Sequence, residues 1–305
     1  MTKNPDQIWR NGELIPYGDA TIHVLSHAAH RGSEVFDVLR VEKTGRGLCA
    51  VGLNEHVVRF IQSMELMGME HSVSPDELID GVAAVVAANT SVGTIKLVGS
   101  WVEEANGVLP KTTKPTLFVA SIPIDPESDR SHPLRPIKVQ TAPGPKVPSS
   151  VLPPSLKVAA SYTPGIRHKL QAVKEGFDEI LFKSTDGGLA ESSSLSCIAV
   201  SGGRLIAPPL DTVLDGITRR MLFDIAESDN IAIEVRPVAW NEVEQADELF
   251  LSSTNKVVLP VANLDAKTFD APGPVSRRLT ELSNAVLADD HPLSQRWLTP
   301  LSSSI

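Results

Sequence analysis

The 305-residue chain is long enough for two moderate domains or one large one, and long enough to bury a core without disulfides or structural metals. Its 42% apolar and 21% charged residues match soluble folded chains and exclude disordered, fibrous and coiled-coil classes. With 28 Lys and Arg against 37 Asp and Glu, the formal charge is −9, a sign that repels a nucleic-acid backbone.

The first predicted element is a hairpin, because Asn11-Gly12 stands between the short apolar runs IWR and ELIP. EVFDVLRVEKTGRGLCAVGL predicts two strands around a Gly-rich turn. Asn54 is the expected cap of a following helix whose apolar stripe is Val57, Val58, Ile61, Met64 and Leu66. A second helix is expected from Ser74 to about Asn89, since SPDEL offers a capping serine, a first-turn proline and acids at the positive end. TIKLVGSW and PTLFVASIPI predict strands.

IDPESDRSHPLRP is Pro-rich, charged and aperiodic, which predicts a connection at 123–136 between a domain at 1–122 and another at 137–305. Beyond it the pattern predicts a helix at 163–175, a strand at 179–183, a turn at 185–188, a strand at 197–201 and a helix at 217–228. Strands at 231–238 and 247–252 and helices at 241–245 and 275–288 follow, a mixed α and β order rather than a regular βαβ succession. Cys49 and Cys197 lack CxxC spacing, the start of the chain is polar, and no window approaches the roughly 18 apolar residues of a membrane span. The expectation is a cytoplasmic protein with neither a disulfide framework nor a membrane anchor.

Four stretches carry residue types suited to chemistry. In PPSLKVAASYTPG, Lys157 stands among small and apolar residues that disfavour an ammonium and leave an amine available for a Schiff base; an ordinary surface lysine is the alternative. In DGGLAESSSLSC, Glu191 can pair with the protonated ring nitrogen of a heteroaromatic cofactor, or belong to a solvated turn. LDGITRRMLFDIAE opens a helix with Gly216, Ile217 and Thr218, whose N–H groups and hydroxyl suit a phosphate monoester as well as a plain cap. DELFLSSTNKVVLPV ends a strand in Ser252, Ser253 and Thr254, which are further donors or simply turn residues. His23, His27 and His30 would share a helical face, but Thr21, Ile22 and Val24 favour a strand followed by a loop, so no metal site is expected.

Taken in order, Lys157, Tyr162, EGFDE, Glu191, LDGITR and DELFLSST resemble the class IV pyridoxal-phosphate aminotransferases, over nearly the whole chain. That group holds branched-chain aminotransferases, D-amino acid and (R)-amine transaminases, and aminodeoxychorismate lyases. DATIHVLSHAAHRGSEVFDVLR looks most like the branched-chain members, and ESSS and LFLSST look as much like the D-amino acid ones. The resemblance implies an α+β protein of fold type IV: a small N-terminal α/β domain, a larger C-terminal pseudo-barrel α/β domain, and a homodimer or larger assembly. It implies pyridoxal 5'-phosphate as cofactor, with Lys157 as Schiff-base lysine and proton carrier, Glu191 on the pyridine nitrogen and Tyr162 at the phenolic oxygen. Arg59 would pair with the phosphate, Gly216, Ile217, Thr218, Ser253 and Thr254 would complete its cup, and Leu214 would pack on the ring; a guanidinium fork suits a phosphate.

The implied activity is ping-pong transfer of an amino group between a branched-chain-like amino acid and a 2-keto acid. D-amino acid or (R)-amine transamination, a lyase releasing pyruvate, and a non-catalytic binder of phosphate ligands are the alternatives. Departures fall in the substrate positions. His30-Arg31-Gly32 replaces the HYG of the branched-chain pattern, and Thr94-Ile95-Lys96 replaces a tyrosine and an arginine two apart. A more polar pocket is expected, with Phe36 and the cations Arg31, Arg40 and Lys96 as candidate substrate contacts. LDGITR in place of LPGITR brings Asp215 toward the phosphate, and Ser196 stands where asparagine is usual.

Overall fold

The computed structural model describes residues 5–90, 92–123 and 135–301. Most of the connection expected at 123–136 lies outside the described residues. The chain divides into two compact units. The first comprises Met1–Asp129, Leu156–Ala160 and Leu287–Ile305, and the second Arg130–Ser155 and Ser161–Val286, each as far as described.

In the first unit the hairpin of β1 (Gln7–Arg10) and β2 (Glu13–Pro16) turns on Asn11 at φ 47° and Gly12 at φ 101°, the left-handed pair that a two-residue loop requires. A five-residue helix α1 (His27–Arg31) follows. It corrects the strand-then-loop expectation for this segment: the Ser26 hydroxyl accepts from the Ala29 N–H at 3.3 Å, Gly32 ends the turn at φ 62°, and no strand forms over Thr21–Val24. Strands β3 (Val35–Thr44) and β4 (Gly47–Val51) then lead to helices α2 (Leu53–Met67) and α3 (Pro75–Ala88), and these to β5 (Thr94–Ser100) and β6 (Thr116–Ile122). The unit is completed from the far end of the chain by α8 (Ser294–Trp297) and β16 (Leu298–Pro300), giving a seven-stranded sheet in the order β16-β4-β3-β5-β6-β1-β2.

One sheet face is apolar because alternate residues point to it, and α2 and α3 pack there. Val35, Leu39, Ile95, Leu97 and Val119 meet Val57, Phe60, Met64, Val82 and Val85, all buried. The stripe of α2 differs from the expected one: Val58 and Leu66 are exposed, and the buried face is Leu53, His56, Val57, Phe60, Ser63 and Met64. The cap lies two residues earlier than expected, at Gly52, because the chain enters the helix with φ 60°. On α3 the Ser74 cap forms as expected and is reciprocated by Glu77, whose carboxylate accepts from the Ser74 N–H at 2.8 Å.

The second unit runs β7 (Ile137–Thr141), α4 (Thr163–Lys174), β8 (Glu179–Lys183), β9 (Leu189–Ser192), β10 (Ser196–Ser201), β11 (Arg204–Ala207) and α5 (Ile217–Ser228). It continues through β12 (Ile233–Val235), α6 (Trp240–Gln245), β13 (Glu248–Ser252), β14 (Leu259–Leu264), β15 (Lys267–Thr268) and α7 (Pro274–Leu287). Its nine strands form one curled sheet in the order β12-β11-β10-β13-β14-β7-β8-β9, with β15 paired to β14. β8, β10 and β13 read as continuous apolar runs because they are covered on both faces. Val139, Leu181, Leu249, Leu251 and Val261 fill one side, and Ala172, Ile180, Phe182, Ala190 and Val213 the other. The strand expected at 231–238 shortens to β12, because Pro237 removes a donor from the ladder. Among the described residues no helix is long and apolar enough to cross a membrane.

Candidate active site

In the first unit the segment bearing Lys157 lies along the start of β3. The Lys157 carbonyl accepts the Phe36 N–H at 3.1 Å, the Ala159 N–H donates to the Glu34 carbonyl at 2.8 Å, and the Ala160 N–H donates to the Gly32 carbonyl at 3.0 Å. The Lys157 N–H donates to the Ser63 hydroxyl of α2 at 3.2 Å. Gly32 is required here twice over, since its φ is 62° and a Cβ would sit 3.3 Å from that of Ala160. The Lys157 ammonium lies 4.9 Å from the centroid of the Phe36 ring, and that of Lys96 lies 4.8 Å from the same ring.

Behind this segment is a charged cluster that the sequence pattern did not single out. Asp37, fully buried on the helix-facing side of β3, accepts from Nε and Nη2 of Arg59 at 2.7 Å each, from His56 Nδ1 at 2.6 Å and from the Val38 N–H at 2.7 Å. Burial alone would raise the Asp37 carboxyl, but Arg59 and His56 overcome it and hold it well below the usual carboxylate range. Burial lowers His56 from its ordinary 6.5; Asp37 opposes this, while Arg59 and Lys157 push in the same direction as burial. Asp37 therefore fixes the guanidinium plane of Arg59, and His56 completes the cluster. The available signal was the pair His56 and Ser63 on an otherwise apolar helix face.

The other candidate cations of this unit have partners. Arg40 is buried and paired with Glu42, and Lys96 reaches Glu34 at 3.4 Å. Arg31 is less committed, donating to the His30 and Gly107 carbonyls at 3.4 Å each. The histidines do not converge: His27 is buried with Nδ1 at 2.8 Å from the Ser33 hydroxyl and Nε2 at 2.8 Å from the Val108 carbonyl, and His23 pairs with Glu104 at 3.3 Å.

In the second unit three motifs far apart in sequence meet. Ser196 at the start of β10 is the register partner of Ser252 at the end of β13. The Ser196 hydroxyl also lies where a Cβ on Gly216 would come within 2.7 Å, so the start of α5 packs directly onto this strand pair. The helix enters through Gly216 without a side-chain cap, and Thr218 in its first turn is buried. Two buried donors beside it, the Ser252 hydroxyl and Arg219 Nη1, have no hydrogen-bond partner among the described residues. Burial lowers the Arg219 guanidinium, with Asp215 and Glu191 opposing. An uncapped helix start with spare hydroxyl and guanidinium donors fits a phosphate monoester. Asp215, the acid that replaces the expected proline, is neutralised by a two-pronged pair with Arg220. Ser253 is a turn residue, its N–H donating to the Lys256 carbonyl at 2.9 Å, and Thr254 follows it in the same turn.

Glu191 lies on β9 with both oxygens engaged: Oε1 accepts from Lys146 Nζ and Oε2 from the Leu214 N–H at 3.2 Å. A carboxylate so held suits a cationic ring nitrogen. Lys146 was invisible in the aperiodic APGPKVPSS. Tyr162 ends the 3-10 turn Ala159–Tyr162 and stands at the entry of α4.

A family model described as amino-transferase class IV matches residues 34–264, most of the chain. The chain belongs to the class IV aminotransferases. Relatives of this aminotransferase include the branched-chain-amino-acid aminotransferase of Salmonella typhimurium, 25% identical over 310 residues and covering 99% of both chains. Among solved structures, the branched-chain amino acid aminotransferase of T.th. with pyridoxamine 5'-phosphate superposes with a TM-score of 0.92 at 29% identity, covering 99% of this chain and 100% of that one. The branched-chain amino acid aminotransferase of Thermobaculum terrenum in its PLP form gives 0.91 at 27% identity, again over 99% and 100%. The α+β, fold type IV architecture implied by the sequence resemblance is thus the architecture of this class IV member.

Proposed function

We propose that this class IV aminotransferase uses pyridoxal 5'-phosphate to move the amino group of a branched-chain-like amino acid to a 2-keto acid, in two half-reactions that alternate at one site. When bound, the cofactor supplies an aldehyde that captures amines and a ring that accepts electrons. Lys157 provides the amine that holds the aldehyde and, once displaced, carries the proton at its Nζ. Arg59, the first turn of α5 with Gly216, Ile217 and Thr218, and the hydroxyls of Ser253 and Thr254 hold the phosphate. Glu191 keeps the ring nitrogen protonated, Tyr162 meets the phenolic oxygen and Leu214 packs on the ring. Phe36 lines the substrate side. Of the three substrate-side cations, Arg31 is the one to reach a carboxylate, because Arg40 and Lys96 already pair with acids.

The observation that carries this reading is the anchored backbone of Lys157. It is tied on both sides, to β3 and to α2, which fixes the point from which the amine extends. The relatives' cofactor-bound forms and their branched-chain substrates support it. We further propose a cytoplasmic homodimer or larger homo-oligomer, which analytical ultracentrifugation checks.

The test is spectroscopic. Protein incubated with pyridoxal phosphate develops a band near about 410–430 nm, which L-valine, L-leucine or L-isoleucine bleaches and D-amino acids do not. Lys157→Ala loses the band and at least about 10³-fold in turnover. No band in the unsubstituted protein, or a Lys157→Ala protein with full activity, overturns the reading.

A further inference from the structure

We propose that Lys146 is a positioning residue for Glu191, fixing the carboxylate and the Thr212–Leu214 segment in the one arrangement that receives the ring nitrogen of the cofactor. The inference rests on the reading above, which assigns Glu191 to that nitrogen. It stands on a set of contacts confined to the second unit. Lys146 Nζ donates both to Glu191 Oε1 and to the Thr212 carbonyl at 3.2 Å, and Glu191 Oε2 accepts the Leu214 N–H at 3.2 Å. The Lys146 N–H donates to the Lys183 carbonyl at 2.8 Å, so the side chain starts from a fixed point on β8. Val213, between the two tethered residues, is 1% exposed and anchors the segment in the core. One ammonium thus ties β9 to the stretch of chain that enters Gly216 and α5.

The physical effect is on orientation. A glutamate has three side-chain torsions, and ordering them opposes any interaction the carboxylate makes. Donors on different oxygens remove that freedom before the cofactor arrives, and one of them is charge-assisted. Arg219 is close enough for its charge to be felt, but its Nη2 donates to the Pro208 carbonyl at 2.7 Å, so it supplies charge and leaves orientation to Lys146. The Lys146 and Glu191 side chains are 21% and 15% exposed, which limits the expected effect to that of one partly screened charge-assisted bond.

The experiment compares two cofactors on the full-length apo-protein: pyridoxal phosphate, and its 1-deaza analogue, which carries C–H in place of the ring nitrogen. Dissociation constants are measured by fluorescence titration for the unsubstituted protein, Lys146→Met and Lys146→Arg, with thermal melts alongside. Lys146→Met weakens pyridoxal phosphate about tenfold, the size of one charge-assisted hydrogen bond, and the deaza analogue by less than about twofold. Its kcat falls by about tenfold or more with KM little changed, and Lys146→Arg restores both quantities. Equal weakening toward the two cofactors marks a merely structural role and overturns the proposal, as does unchanged affinity for pyridoxal phosphate. If Lys146→Met does not fold, Lys146→Gln, which keeps donors without the charge, is judged by the same ratio between cofactors. An unsubstituted protein that binds neither cofactor sinks the reading of the site itself, a result distinct from either ratio.

Discussion

The two units set their candidate anion donors in opposite surroundings. In the first, Arg59 is already matched to Asp37, which is in turn held by His56 and a backbone N–H, so the charges are balanced inside the unit. In the second, the start of α5 has no side-chain cap, and the Ser252 hydroxyl and one arm of Arg219 lack partners among the described residues. A guanidinium on a flexible side chain must be aimed, and a buried carboxylate aims it. A helix start is aimed by its own backbone and needs only to be left open. The first arrangement is therefore sensitive to loss of a partner, the second to loss of space.

That contrast can be broken from either side. The largest effect is expected at Asp37. Asp37→Ala leaves Arg59 without its buried counter-ion and lowers stability by about 3–5 kcal/mol, read by denaturant melts; a loss under about 1 kcal/mol would show that the cluster is dispensable. Gly216→Ala is the corresponding lesion in the second unit, since its methyl would lie 2.7 Å from the Ser196 hydroxyl. Stability falls by about 1–3 kcal/mol through overpacking. Pairing it with Ser196→Ala, which removes the obstructing oxygen, recovers most of the loss; no recovery would place the strain elsewhere.

The smallest effect is a pH slope. The folded His56 titrates below its ordinary 6.5, so as the pH falls through that value the unfolded chain takes up a proton that the folded one does not. Stability is complete above about pH 7 and declines on acidification by at most about 1.4 kcal/mol per pH unit from this residue. Asp37 works in the same direction but later: its carboxylate is depressed from 3.8, so its contribution is present above that pH and is lost as the pH drops further. In His56→Gln, melts between pH 5 and 7 should lose that part of the slope. An unchanged slope would assign it to other groups.

What the sequence revealed follows the same division. α5 was legible to the residue, because a glycine and an amphipathic run mark a helix start whatever surrounds it, and α3 announced itself through Ser74 and Glu77. These are local rules. Asp37 was not legible, because in EVFDVLRVEK an acid on the core side of a strand makes sense only once a helix presents an arginine and a histidine to it. Ser63 and His56 were open clues, as polar residues in an apolar stripe, but the expected stripe was rotated toward Val58 and Leu66 and hid them. Lys146 gave no clue, since its partners come from β9 and from the segment before α5. Membership of residues 156–160 in the first unit was equally hidden, being written in pairings with residues 32–36.

Arg59 and Ser63 stand one turn apart on α2, the first gripping Asp37 and the second gripping the Lys157 backbone. The helix is in this sense a ruler with two engraved marks. Inserting a single residue between them would swing one mark about 100° around the axis relative to the other. Sequence drift in α2 can change what is written at most positions, but it cannot change the interval.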